Sequence, residues 1–101
     1  MVSPRIDIPM ERIAEFCRKW RIKELSLFGS VLRDDFRPDS DVDVLVLLGE
    51  GVPWDLFDWV DMIDELKGIF GRDVDLVEKT AITNPFRRRN ILRSHQVIYA
   101  A

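Results

Sequence analysis

Five residues in three stretches have side chains and spacing that suit phosphate and metal chemistry. The first two, Gly29 and Ser30, follow an apolar run that ends at Phe28. Glycine has no Cβ and lets the backbone approach a phosphate closely. A serine that opens a helical turn leaves backbone N–H groups free to bind an anion. This stretch therefore predicts a strand that ends in a phosphate-binding turn.

The other three residues are aspartates on two later apolar runs. Asp41 and Asp43 are separated by one valine and lead into the apolar run 44–48. Alternate residues of a strand point to the same face, about 6.6 Å apart at about 3.3 Å per residue. The two carboxylates can therefore share one or two cations. Asp75, within the run 73–78, can complete the set from a neighbouring strand, and Asp73 is a second candidate.

Such carboxylates suit metal-assisted chemistry on a phosphate. Two Mg²⁺ ions about 3.5 to 4 Å apart stabilise the attacking and leaving oxygens of an in-line displacement. Magnesium takes a few carboxylates together with phosphate oxygens and water. The pattern predicts a site for divalent metal and a triphosphate.

The stretch GSVLRDDFRPDSDVDVLV, residues 29–46, resembles the Gly-Ser and Asp-x-Asp motif of the nucleotidyltransferase superfamily that shares its palm with polymerase beta. Together with Asp-Val-Asp-Leu-Val at 73–77, it is similar to the minimal nucleotidyltransferases (MNT), which are often antitoxins paired with HEPN-domain toxins. The resemblance covers about residues 8–99.

The resemblance implies a role for each matching residue. Asp41 and Asp43 would bind both Mg²⁺ ions. Asp75, rather than Asp73, would bind the catalytic ion and help to deprotonate the acceptor hydroxyl. The β and γ phosphates of ATP would be held by residues of the turn, namely Gly29, Ser30 and Arg33.

The elements that must position these residues predict an α/β fold of the α+β type. The implied polymerase-beta-like palm is a mixed sheet of about four strands flanked by helices, in one domain that spans residues 1–101. Apolar periodicity and turn residues predict strands at 23–28, 41–48, 73–78 and 96–99, helices at 9–20, 53–70 and 84–93, a helical turn at 30–35 and a loop at 36–40.

The helix at 53–70 carries more apolar residues than one sheet face needs. A core stripe is predicted at Leu56, Phe57, Val60, Ile63, Leu66 and Phe70. Trp54, Trp59 and Met62 widen that stripe, and they are either further core residues or an interface for an oligomer.

Composition limits the possible partners. A net charge of -3 argues against general attraction to nucleic acid. Near the end of the chain, however, four arginines form a basic cluster, namely Arg87, Arg88, Arg89 and Arg93. This cluster is either a solvated helix face or a contact for nucleotide, RNA or an acidic partner. One cysteine excludes an internal disulfide. With no apolar run of about 20 residues and no signal-peptide core, we expect a cytoplasmic protein without membrane contact.

Three functions are compatible with these residues. The first is a nucleotidyltransferase antitoxin that moves AMP from ATP to a hydroxyl of a HEPN toxin, and the resemblance implies both the toxin and a tyrosine acceptor. The second is a binding module that neutralises its toxin by complex formation. The third is transfer to an RNA end or to a small molecule such as an aminoglycoside. The acidic pI near 5.1 disfavours RNA as the acceptor. A length of 101 residues leaves no room for a drug-binding domain, which disfavours the small molecule.

Overall fold

The computed structural model describes residues 8–32, 37 and 40–101. Within them, four strands form one mixed sheet in the order β3-β2-β1-β4. Strand β1 is antiparallel to β2 and β4, and β2 is parallel to β3. The strands are β1 (Ile22–Phe28), β2 (Val42–Leu48), β3 (Val74–Glu78) and β4 (Gln96–Ala100), and the helices are α1 (Met10–Lys19), α2 (Leu56–Phe70) and α3 (Pro85–Arg93).

The two faces of the sheet are covered by different helices. On β2, Val42, Val44 and Val46 are fully buried and belong to the main core with residues of α1 and α2. Leu45 points to the opposite face, because successive strand residues alternate. There it packs in a smaller cluster with Phe28 of β1 and Ile91 of α3. Asp43 alternates with Val42 and Val44, so it lies on the face that α3 covers.

The predicted core stripe of α2 was wrong in its first half. Leu56 and Phe57 are 74% and 80% exposed, and Val60 is 48% exposed. The buried stripe is instead centred on Met62 and Leu66, one helical turn apart. A helix that is apolar around most of its circumference has more than one stripe with helical periodicity, so its pattern alone does not choose the buried face.

Of the two alternatives for Trp54, Trp59 and Met62, the structure supports a place in the core. Met62 is fully buried, and both tryptophans are partly buried against the core. Trp54 Nε1 donates a hydrogen bond of 2.7 Å to the carbonyl of Trp20, and the two rings meet edge to face at 5.2 Å. Trp20 Nε1 in turn donates to Glu65 on α2 at 2.5 Å. These aromatic residues join the end of α1 to α2.

The helix boundaries follow their capping residues. Helix α2 begins at Leu56 rather than 53, because Asp55 and Asp58 form a reciprocal capping box. Helix α3 begins after Asn84, whose side chain accepts hydrogen bonds from the N–H groups of Phe86 and Arg87. The helical turn predicted at 30–35 is a 3₁₀ turn at Gly29–Leu32. Its predicted end, and all of the predicted 36–40 loop except residues 37 and 40, lie outside the described residues.

In the described part of the chain, no helix has both the length and the apolar character needed to cross a membrane.

Candidate active site

Strand register brings two of the predicted carboxylates side by side. Asp43 of β2 and Asp75 of β3 are direct partners in the parallel ladder. Neighbouring strands lie about 4.8 Å apart, and paired residues share a face. Phe28 of β1 is the partner of Asp43 on its other side. The two carboxylates therefore lie next to each other, beside the end of β1.

Asp41 lies outside the ladder that pairs Asp43 with Asp75. It is exposed and precedes the β2–β3 ladder, whose first pair is Val42 with Val74. The chain on either side of it is held: Val42 N–H donates to the carbonyl of Asp73 at 2.9 Å, and Arg72 donates to the carbonyl of Ser40 at 3.5 Å. Among the described residues, no three His, Cys, Asp or Glu side chains are grouped as a metal ion would require. The predicted convergence of all three aspartates is thus seen only for Asp43 and Asp75.

The remaining candidate for the third carboxylate, Asp73, is directed elsewhere. Its carboxylate lies 3.9 Å from Lys67 Nζ on α2, and α2 covers the opposite face of the sheet. Asp73 also precedes β3, whereas Asp75 lies within the strand. The structure therefore favours Asp75 over Asp73 as the partner of Asp43.

The turn after β1 is pressed against Asp43. Gly29 has a φ of +74°, in the region that favours glycine. A methyl group added at Gly29 would collide with the carboxyl of Asp43. An added side chain would strain the backbone and push the Asp43 carboxyl aside, so the glycine turn and this carboxylate form one continuous site.

Ser30 is the second residue of the 3₁₀ turn Gly29–Leu32. Val31 and Leu32, the last two residues of that turn, are buried in the main core. This anchors the turn in which Ser30 directly follows Gly29, the residue beside Asp43. Arg33, the third residue predicted to contact phosphate, lies outside the described residues.

The donor set suits magnesium. Mg²⁺ is usually held by one or two carboxylates, with substrate phosphates and water completing its octahedron. The adjacent carboxylates of Asp43 and Asp75 supply that share, and the backbone of Gly29 lies directly beside Asp43.

Sequence reasoning missed part of the surroundings. An open pocket of about 410 Å³ lies between Gly29 and helix α3, and Asn84, Phe86 and Asn90 help to line it. These residues carry no motif. The available signal was helical periodicity, because the lining residues Arg87, Asn90 and Ile91 fall on one face of α3.

Comparisons with known proteins agree with this geometry. Residues 10–98 match the family described as "Nucleotidyltransferase domain". The chain is 32% identical over 85 residues to protein adenylyltransferase MntA of Thermococcus cleftensis, and the match covers 84% of this chain and 81% of the relative.

Solved structures share the fold. A toxin-antitoxin crystal structure with AMP-PNP superimposes with a TM-score of 0.74 at 19% identity, and the match covers 93% of this chain and 75% of the other. A complex of the tri-AMPylated Shewanella oneidensis HEPN toxin with its MNT antitoxin gives 0.66 at 19% identity, covering 91% and 70%. They confirm the predicted fold class, a mixed four-stranded sheet with helices. With a family match over nearly all of its length and 32% identity to a solved minimal nucleotidyltransferase, this chain belongs to the nucleotidyltransferases, as one of the minimal (MNT) members.

Proposed function

We propose that the protein is a Mg²⁺-dependent adenylyltransferase antitoxin that transfers AMP from ATP to a hydroxyl of a partner HEPN toxin, with tyrosine as the acceptor. The observation that carries the proposal is the register pairing of Asp43 with Asp75 beside the Gly29 turn. A protein acceptor and a HEPN partner are supported by the relatives, one a protein adenylyltransferase and another an antitoxin bound to an AMPylated HEPN toxin. The choice of tyrosine rests on the family resemblance.

The proposed reaction is an in-line displacement at the α-phosphorus of ATP. A bond forms between the acceptor oxygen and the α-phosphorus, and the bond from that phosphorus to the oxygen bridging the β-phosphate breaks. Pyrophosphate leaves, and the hydroxyl proton passes to the Asp75 carboxylate. Gly29 and Ser30 orient the β and γ phosphates through backbone N–H groups.

Magnesium, when bound by Asp43, Asp75 and Asp41, would neutralise charge on the attacking and leaving oxygens. Asp41 would join this set from its position two residues before Asp43. Its exposure and its place before the ladder leave its carboxylate free to approach a phosphate-bound ion.

Transfer of label from α-phosphate-labelled ATP tests the proposal. The purified chain is incubated with Mg²⁺ and the protein encoded by the adjacent gene, and the labelled peptide is identified by mass spectrometry. We expect AMP on a tyrosine. Asp75→Asn should lower the rate by about 100-fold or more, because a proton acceptor is lost.

Asp73→Asn is the matched control. It removes a carboxylate two residues away that faces Lys67, so the rate should stay within about twofold of wild type. Equal loss in both variants would contradict the assigned roles. A tight complex that carries no label would identify the chain as a binding module instead.

A further inference from the structure

The pocket between the glycine turn and α3 is open, and its position relates it to the carboxylates. Its floor includes Ile91, which packs against Phe28, and Phe28 is the ladder partner of Asp43. Gly29 forms one wall, and α3 forms the other. The pocket is therefore continuous with the surface on which the phosphates of a nucleotide would lie.

Of the polar side chains on the α3 wall, Asn84 caps the helix, but Arg87 and Asn90 serve no such structural role. In the part of the chain that is described, Arg87 and Asn90 make no side-chain hydrogen bond or ion pair, and both are exposed. Arg88, by contrast, donates to the carbonyl of Lys79 at 2.8 Å. Arg87 and Asn90 are three residues apart, so they project from the same face of the helix. Their donors are available to a ligand.

We propose that this pocket binds the nucleotide, with Arg87 on its phosphates and with Asn90 and Phe86 on its nucleoside. The inference rests on the proposed function and adds residues outside the Gly-Ser and aspartate motif. A volume of about 410 Å³ falls within the about 300 to 1,000 Å³ that small-molecule sites occupy.

Each residue has chemistry that matches its assigned part. A guanidinium is permanently charged and binds phosphate oxygens with paired N–H donors. Phe86 is 78% exposed and offers a π-face on which a base can stack. The Asn90 amide both donates and accepts hydrogen bonds, as the edge of a base or a ribose hydroxyl requires.

Arg87 also supplies positive charge at a site that is otherwise negative. Asp41, Asp43 and Asp75 place three formal negative charges near a ligand that is itself highly charged. Helix α3 contributes four arginines and no acidic residue over Pro85–Arg93. Of these four, Arg87 is the one that lines the pocket. Binding of a polyanion at this position therefore depends on Arg87 more than on its neighbours.

Equilibrium binding measured by calorimetry tests the assignment. The probes are Mg²⁺-ATP and Mg²⁺-tripolyphosphate, which lacks the nucleoside. Arg87→Gln should weaken binding of both probes about tenfold or more. Asn90→Ala and Phe86→Leu should weaken binding of ATP by about tenfold, the cost of one lost stacking or hydrogen-bond contact, and leave tripolyphosphate unchanged.

Arg89→Gln is the matched control, since it removes the same charge from the same helix at an exposed position outside the pocket. It should change the Kd of either probe by less than about twofold. Circular dichroism and thermal unfolding establish that each variant is folded. Equal effects of Arg87→Gln and Arg89→Gln would show that the arginines act only through their general charge, and would overturn the assignment. ATP binding that is insensitive to Asn90→Ala and Phe86→Leu would also overturn it.

Failure of this inference and failure of the proposed function give different results. If ATP binds through Arg87 but no label reaches the partner, the pocket assignment stands and the transferase proposal falls. If label reaches the partner and the KM for ATP is unaffected by Arg87→Gln, the transferase proposal stands and the pocket assignment falls.

Discussion

At the scale of single residues, one glycine connects the turn to the carboxylates. Gly29 shares its positive φ with Gly51 and Gly71, at +71° each. At those two positions an added methyl would meet nothing within 4 Å, whereas at Gly29 it would meet Asp43. Backbone strain and steric collision can thus be separated by comparing the same substitution at different sites.

We expect Gly51→Ala to lower the free energy of unfolding by about 1 kcal/mol, the cost of a left-handed backbone with a Cβ. Gly29→Ala should lower it further, and should also abolish transferase activity, because the methyl displaces the Asp43 carboxyl. Denaturant titration and the labelling assay measure the two effects. Equal loss of stability in both variants, with activity retained, would contradict the predicted collision.

A second residue-scale prediction concerns Cys17, which is 1% exposed in the core. Burial raises the pKa of its thiol from 9.0 to about 12, with a smaller opposing effect from Arg18. The unfolded chain therefore loses this proton near pH 9, while the folded chain keeps it. Stability from this source is complete below pH 9 and declines as the pH rises toward 12.

The check is a comparison of wild type with Cys17→Ala in denaturant titrations above about pH 9. The wild type should lose about 1.4 kcal/mol per pH unit relative to the variant, because shared titrations cancel in the difference. The native thiol should also resist alkylation at pH 8. A stability difference that does not change with pH would show that the thiol is not desolvated.

At the scale of elements, helix α2 decides how the β2–α2–β3 unit packs. Its buried stripe passes through Met62 and Leu66, both fully buried, while Leu56 is 74% exposed. The same residue type thus occupies two opposite environments on one helix. Comparing the buried Leu66 with the exposed Leu56 therefore tests which stripe of α2 supports the sheet, and with it the register of Asp43 and Asp75.

Leu66→Ala should lower the free energy of unfolding by about 2 to 5 kcal/mol, because it leaves a cavity in the core. Leu56→Ala should change it by no more than about 0.5 kcal/mol, as at other exposed sites. Urea unfolding of both variants is sufficient. Comparable losses would place Leu56 in the core after all.

At the scale of the whole molecule, the proposed site joins parts of the chain that are distant in sequence. The β1 turn, the start of β2, β3 and α3 contribute to it, and each is held by a different packing contact. A ligand that bridges these parts binds only the folded chain, so it must raise the stability of the whole molecule.

At a concentration about 100 times its Kd, Mg²⁺-ATP should add about 2.7 kcal/mol of stability, which raises Tm by about 10 °C or more in a chain of this size. EDTA should reverse most of the shift. Asp43→Asn should remove it, whereas Asp61→Asn, an exposed change on α2, should not. A Tm that responds to Mg²⁺-ATP equally in both variants would exclude Asp43 from the site.

The sequence by itself determined the family and most of the elements, and it predicted the chemistry. The spacing of residues placed Gly29 and Ser30 at the end of one strand and Asp43 on the next strand. This was possible because helix caps and strand alternation depend on residues that are neighbours in sequence. Such short-range signals also identified α3 through Asn84 and Pro85. The family resemblance and the fold class followed from the same motif, and both are confirmed.

The tertiary structure alone decided how these parts meet. Parallel register, which depends on contacts between β2 and β3, paired Asp43 with Asp75 and left Asp73 facing Lys67. Docking against the sheet selected one of two apolar stripes on α2. Packing of Ile91 on Phe28 created the pocket beside Gly29. Each outcome depends on surfaces far apart in sequence, and no local pattern contains that information.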